Sequence, residues 1–241
     1  MPSWHDVLIR KLKEHSSLNG ADVAAIRRLP DTERTIGPGE DIVRQGDRPK
    51  VSVVVLKGMT ARYHMLRGGG RQYLSLHIAG DMPDAQSLFL ERMDHAVCAM
   101  DDVVIALIPH KALLKLFDER PVASFAFWRE TLIDAAIFRE AITNNGARPL
   151  PARLAHFFCE QFYRARMIGL TKGNACRLPL TQTEIGETVG ASLPSITRGL
   201  HVLRKSKAME LRSGELHVLD WERLIELGEF NPGYLHLKKP D

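Results

Sequence analysis

The sequence predicts an α+β protein: a β-rich first domain, one long helix, and a small, mostly helical last domain that ends in a hairpin. Three observations predict it. Between Ile36 and Pro109 short β-branched runs alternate with glycine turns. From Phe117 to Asn144 the apolar residues recur three or four apart. Beyond two prolines, Pro149 and Pro151, a capping signal opens a pair of short helices. With 241 residues, 44% of them hydrophobic, the chain is long enough to bury more than one core.

Residues 5–29 read as short helices leading into the first domain, residues 1–116. The turns that follow are Gly37-Pro-Gly39, Gln45-Gly46-Asp47, Lys57-Gly58, Gly68-Gly-Gly70 and Gly80-Asp81. Val51–Leu56 and Val103–Ile108 are β-branched runs of strand length, so the domain is expected to be an all-β barrel or sandwich. No run of about 18 apolar residues occurs, and Met1 to Lys13 mixes charged with apolar residues where an export signal has an apolar core. The expected compartment is the cytoplasm, with no membrane attachment. Cys98, Cys159 and Cys176 are odd in number and widely separated, which fits reduced thiols better than a disulfide framework.

The long helix is expected over residues 117–146, with Val122, Phe125, Trp128, Leu132, Ile137 and Ile142 on its apolar stripe. Such a stripe suits pairing with a second copy of the chain as a coiled coil; packing on the chain's own β domain is the alternative. Asn144 to Pro151 holds turn formers and two prolines, the composition of a hinge. The last domain, residues 147–241, starts with a helix from Ala152 to about Met167. Charge is concentrated here: Lys and Arg outnumber Asp and Glu by 11 to 4 over residues 146–212, against 19 to 19 over residues 1–145. A basic segment of this kind suits a phosphate-facing surface.

Thr181-Gln-Thr-Glu184 matches a capping box, so a helix starts at Thr181 and runs through Ile185 and Val189 until Gly190 stops it. Gly190-Ala-Ser192 is the turn, Ser192 the next N-cap, and Pro194 is tolerated in a first turn that has no internal N–H bond to lose. In the second helix Ile196, Leu200 and Leu203 share one face, while Pro194, Thr197, Arg198, His201 and Lys205 fall opposite. Two short helices with a three-residue turn and a basic outer face are the arrangement that enters a DNA major groove. Arg198 is the expected base reader, because a guanidinium bonds bidentately to guanine. The full set expected at DNA is Thr181, Ser192, Pro194, Ser195, Thr197, Arg198, His201, Arg204 and Lys205. Glu210 to Val218, with Ser213-Gly214 at its tip, reads as a hairpin wing. The sequence carries no His-Glu-x-x-His pair, no Gly-x-Ser-x-Gly elbow, no phosphate loop and no dinucleotide fingerprint, so an enzyme is not expected.

The ordered set Gly39-Glu40, Gln45-Gly46-Asp47, Leu56-Lys-Gly58, Gly80-Asp81 and Val189-Gly190-Ala-Ser192 with Ile196-Thr-Arg198 resembles the cyclic-AMP receptor and fumarate-nitrate regulator family of bacterial transcription factors, over nearly the whole chain. The resemblance implies a β-roll effector domain, a long dimerisation helix and a winged helix-turn-helix. It also implies a homodimer on a palindromic double-stranded operator, RNA polymerase as a partner, and Arg198 on DNA.

Departures from the family pattern narrow the control mechanism. Relatives that bind cyclic AMP place a ribose-binding glutamate where this chain has Ala85, and arginine and serine on the phosphate where it has Met93 and Asp94. Losing the guanidinium removes the strongest bond to the phosphate, so control by cyclic AMP is not expected. Iron–sulfur relatives use a cysteine group near the N-terminus, whereas the first cysteine here is Cys98. Haem ligation in a relative uses a cysteine, a histidine and an N-terminal proline; Pro2 is present, but Asp84 and Gln86 stand in the other places. No cofactor is therefore expected. By alignment Met82, Gln86, Met93, His95 and Val97, with Phe138 and Arg139 from the long helix, line an effector pocket for a small apolar molecule, or else merely fill the core of a regulator controlled by its abundance. A haem- or thiol-based sensor of the same fold, and an interaction module that does not bind DNA, are the remaining alternatives.

Overall fold

β3 (Val51–Lys57) is buried on both faces, which is why Val51-Ser-Val-Val-Val-Leu56 reads as an unbroken apolar run instead of an alternating one. Its neighbours are explained by the two cores it separates. A computed structural model describes residues 3–237, so Pro2 lies outside the described residues. The chain divides into two compact units, one reaching to Ala135 and the other running from Ala136 to His236, with Gly70–Tyr73 grouped with the latter.

In the first unit α1 (Trp4–Lys13) and α2 (Gly20–Ile26) precede β1 (Thr32–Ile36), β2 (Asp41–Val43), β3, β4 (Thr60–Met65), β5 (Arg71–His77), β6 (Ala96–Ala99) and β7 (Val103–Pro109). The strands form two sheets, in the orders β1-β7-β3 and β2-β6-β4-β5. Val43, Val53, Val55, Met93, Val97, Val103 and Ile105 pack between them. The opposite face of β3 and β7, carrying Val54, Ala106 and Ile108, is covered by Leu8, Ile9, Leu12, Ile26 and Leu113 from the helices. The expected barrel or sandwich is thus a two-sheet roll with helices on one outer face.

The helical stretch expected over residues 117–146 is two helices: α3 (His110–Glu119) and α4 (Pro121–Ala147). Phe117 belongs to α3. Arg120 between them is extended, at φ −136° and ψ 77°, because a residue before proline is excluded from the α region, and Pro121 then starts a helix at no cost. At its far end α4 passes through Asn144, Asn145 and Gly146 where the sequence suggested a break. Side chains hold that last turn: Asn144 Nδ2 donates to the Arg153 carbonyl at 3.1 Å, and Arg148 Nη1 to Glu140 Oε1 at 2.8 Å. The break is confined to Arg148–Pro149 before α5 (Leu150–Met167).

The rest of the second unit comprises β8 (Thr171–Lys172), β9 (Ala175–Arg177), α6 (Gln182–Val189), α7 (Leu193–Lys205), β10 (Met209–Arg212), β11 (Glu215–Val218) and α8 (Trp221–Gly228). The expected wing is β10–β11, and it belongs to a four-stranded sheet, β10-β11-β9-β8, whose other hairpin the sequence did not announce. Ser213 and Gly214 both have positive φ, 50° and 76°, as a two-residue hairpin turn requires. No helix among the described residues is long and apolar enough to cross a membrane.

Candidate nucleic-acid interface

α6 begins as the sequence dictates. The Thr181 N–H donates to Glu184 Oε2 at 2.7 Å and the Glu184 N–H donates to Thr181 Oγ1 at 3.2 Å, closing the capping box. Gly190 ends the helix in the left-handed region, φ 70° and ψ 46°. The tight turn also depends on Gly186: a Cβ there would sit 2.5 Å from the Ala191 carbonyl oxygen, which accepts no such approach.

α7 is two-sided. Ile196 and Leu203 are fully buried, Leu200 nearly so, and Gly199 lets the helix approach the Leu154 side chain of α5. Pro194, Thr197, Arg198, His201, Arg204 and Lys205 are exposed, and Ser195 is half-buried. Ser192 occupies the N-cap position in extended conformation, but its hydroxyl bonds to Ser195 Oγ at 3.0 Å and makes no side-chain cap bond to the helix backbone. Ser195 Oγ in turn accepts from Arg198 Nη2 at 3.0 Å. Ser192, Ser195 and Arg198 therefore form one hydrogen-bonded row that holds the guanidinium along the first turns of α7.

Thr197 Oγ1 donates to Gln182 Oε1 at 2.8 Å, tying the outer face of α7 to the start of α6. Thr181, Gln182 and Arg204 line one cleft together with Arg212 and Gly214 of the wing. The structure thus brings Thr181 and Arg204 of the predicted set to one cleft and ties Thr197 to its edge through Gln182. It adds two that the sequence reading omitted, Gln182 and Arg212. Gln182 directly follows the cap and so faces the neighbouring helix, and Arg212 immediately precedes the hairpin tip; those positions were the available signals.

The residues expected around an effector come from several elements. Met93 and Val97 are in the core between the sheets, while Phe138 and Arg139 lie beyond Ala135, in the second unit. His95 is buried and bonded to Gln86 at 3.0 Å and to Asp94 at 2.8 Å; desolvation holds its pKa below the usual histidine value. Met82 and Gln86 line a separate cavity of about 490 Å³.

The first unit holds buried charges of its own. Arg62 on β4 is 3% exposed, donates from Nε to the Pro83 carbonyl at 2.6 Å, and forms an ion pair with Asp134 of α4. Asp84 is fully buried, accepts from the Val53 N–H at 2.7 Å, and desolvation pushes its pKa up to about 7. A cyclic phosphate needs an unengaged guanidinium and no carboxyl beside it, so these residues do not fit that ligand. Nor does an iron–sulfur cluster fit: Cys98 sits on β6, Cys159 on α5 and Cys176 on β9, all buried, and among the described residues no group of three or more His, Cys, Asp or Glu is placed to hold a metal.

Comparison with known proteins agrees with both halves. Residues 33–120 match the cyclic nucleotide-binding domain family and residues 152–227 the Crp-like helix-turn-helix domain family. A fumarate and nitrate reduction regulatory protein of Vibrio cholerae is 21% identical over 222 residues, 92% of this chain and 88% of the relative. Electron transport regulator A of Shewanella oneidensis is 22% identical over 220 residues, 91% of this chain and 88% of the relative. Among solved structures, FixK2 from Bradyrhizobium japonicum shares the fold, with a TM-score of 0.73 at 21% identity, covering 83% of this chain and 98% of that one.

Proposed function

Because the chain belongs to the cyclic-AMP receptor and fumarate-nitrate regulator family of DNA-binding transcription regulators, not enzymes, we propose that it reads its operator with α7, Arg198 contacting a base edge and Thr181, Arg204 and Lys205 contacting phosphates. The observation that carries this assignment is the exposed Arg198 guanidinium, held by Ser195 on the face opposite the buried Ile196–Leu203 stripe. The target is a palindrome read by a homodimer, since a two-fold axis imposes two half-sites. α4 offers the surface for that dimer: Val122, Phe125, Trp128 and Leu132, spaced three to four apart, are 46%, 63%, 61% and 51% exposed. RNA polymerase is the further partner, by analogy with the family.

What speaks against control by cyclic AMP is that the Arg62 guanidinium is already engaged with the Pro83 carbonyl and Asp134, and that Asp84 places a buried carboxyl in the same domain. The remaining modes are a different small molecule or the abundance of the protein. Cys159 and Cys176 do not suit a thiol switch: burial pushes both up to about 12, far from the thiolate that reacts with oxidants.

The test is to select binding sites from randomised duplex DNA and compare wild type with Arg198→Ala by fluorescence anisotropy. The variant is expected to lose roughly 10- to 100-fold in affinity for the selected site and its preference at one base pair per half-site, the worth of a bidentate base contact. Unchanged preference would remove Arg198 from the reading role. Sedimentation equilibrium should give a dimer; a monomer at the concentrations that bind DNA contradicts the two-fold reading.

A further inference from the structure

We propose that the cavity between α1, α3, the start of α4 and the turn at Ala85–Leu88 is a binding site for a neutral, largely apolar small molecule that carries one hydrogen-bonding group. The cavity measures about 490 Å³, within the range of small-molecule sites. It lies on the helix-covered outer face of β3, opposite the core packed between the two sheets. Its walls are Leu8 and Leu12 of α1, Met82 and Phe89 around the turn, and Phe125 and Trp128 of α4. Phe89, Phe125 and Trp128 are 72%, 63% and 61% exposed in the single chain, so the cavity has an aromatic mouth, two of whose residues, Phe125 and Trp128, also belong to the proposed dimer stripe.

Two polar features set the chemistry. Ser52 lines the cavity from β3, is fully buried, and its Oγ has no hydrogen-bond partner. A buried hydroxyl without a partner is costly, and a ligand donor or acceptor reaching it recovers that cost. The second is Glu130, also on the wall; its carboxylate is already matched by His15 at 2.8 Å and Lys11 at 3.6 Å. An acidic ligand would meet that carboxylate, and a basic one would compete with Lys11, so a neutral molecule fits best. A ligand here touches both the turn after Gly80-Asp81 and the exposed stripe of α4. That places it where occupancy alters the proposed dimer surface.

The probe is N-phenyl-1-naphthylamine, a neutral, apolar fluorophore with one N–H donor for Ser52 Oγ. Titration of the full chain is expected to show saturable binding of one probe per chain. Ser52→Ala should weaken it about fivefold, the worth of one net hydrogen bond, and because the hydroxyl has no partner in the fold the variant should melt no lower than wild type. 1-Phenylnaphthalene, which lacks the N–H, should bind wild type and Ser52→Ala alike. Ala85→Phe and Ser124→Phe, each filling the cavity from a different wall, should abolish binding with the circular dichroism spectrum retained. Non-saturable fluorescence, or equal binding by wild type, Ser52→Ala and a folded filling variant, overturns the proposal. So does a stoichiometry that falls as the dimer forms, which would mean that the second copy occupies the cavity. No DNA is present in these measurements, so their failure leaves the regulator assignment standing.

Discussion

The reading unit and the roll handle charge in opposite ways. In the second unit the cations of α7 are turned outward: Arg198, Arg204 and Lys205 are exposed, and the helix is anchored by Ile196, Leu200 and Leu203. In the roll Arg62 is turned inward and paired with Asp134, and Asp84 is enclosed without a cation bonded to it. Outward cations cost little and are available to a partner, whereas buried charges are tied to the fold and, once paired, are not available to an anionic ligand. Substitutions in the roll should therefore register in stability and those on α7 in DNA binding.

Asp84 gives the largest expected effect. Its pKa in the folded roll, about 7, lies above the ordinary value of 3.8, so the folded state binds the proton more tightly than the unfolded one. The stability it contributes is present at low pH and is lost as pH rises through about 7. Asp84→Asn keeps an acceptor for the Val53 N–H but does not titrate. Urea denaturation of wild type should therefore lose up to about 4 kcal/mol relative to Asp84→Asn between pH 4 and pH 7. Parallel profiles for the two proteins would show that Asp84 is charged at neutral pH, and the contrast with the reading unit would weaken.

Arg62→Ala comes next. Removing one partner of a buried pair costs 3–5 kcal/mol, and since the Asp134 side chain is 23% exposed the low end applies, about 3 kcal/mol. Hydrogen exchange should show the loss over residues 32–109, with residues 150–228 keeping their protection. Equal loss in both segments would mean that the two units share one cooperative transition.

What was legible in the sequence follows the same division. The capping box at Thr181, the left-handed stop at Gly190 and the Ser213-Gly214 turn are local devices, decided by residues at most three apart, and each is visible in the chain. The Arg62–Asp134 pair spans 72 positions, so no window on the sequence shows it, and the Gln86–His95 contact, though local, follows no helical or strand period. Periodicity also misses phase breaks. Phe117 continues the apolar spacing of α4, but Pro121 starts a new axis, and only the extended Arg120 separates the two. The strands Thr171–Lys172 and Ala175–Arg177 are too short to carry any period. Replacements at Ala85, Met93 and Asp94 told which ligand not to expect; the cavity lined by Ser52 and Trp128 brings together elements far apart in the chain.

The smallest effect sharpens the comparison inside the reading unit, because Thr181 stands between scaffold and contact. Its hydroxyl is engaged with Glu184, at 3.2 Å to the N–H and 2.8 Å to Oε2, yet it lines the same cleft as Arg204. Thr181→Ala removes the cap and should cost the second unit about 1 kcal/mol, while Thr181→Ser, which keeps the hydroxyl, should cost little. The variant removes no charge, so the slope of log affinity against log salt should stay at the wild-type value. Arg204→Ala, which deletes a cation proposed to face a phosphate, should reduce that slope by about one. If Thr181→Ala lowers the slope as well, the helix start that it caps carries the phosphate contact, and the backbone N–H groups of α6 belong to the interface together with the cations of α7.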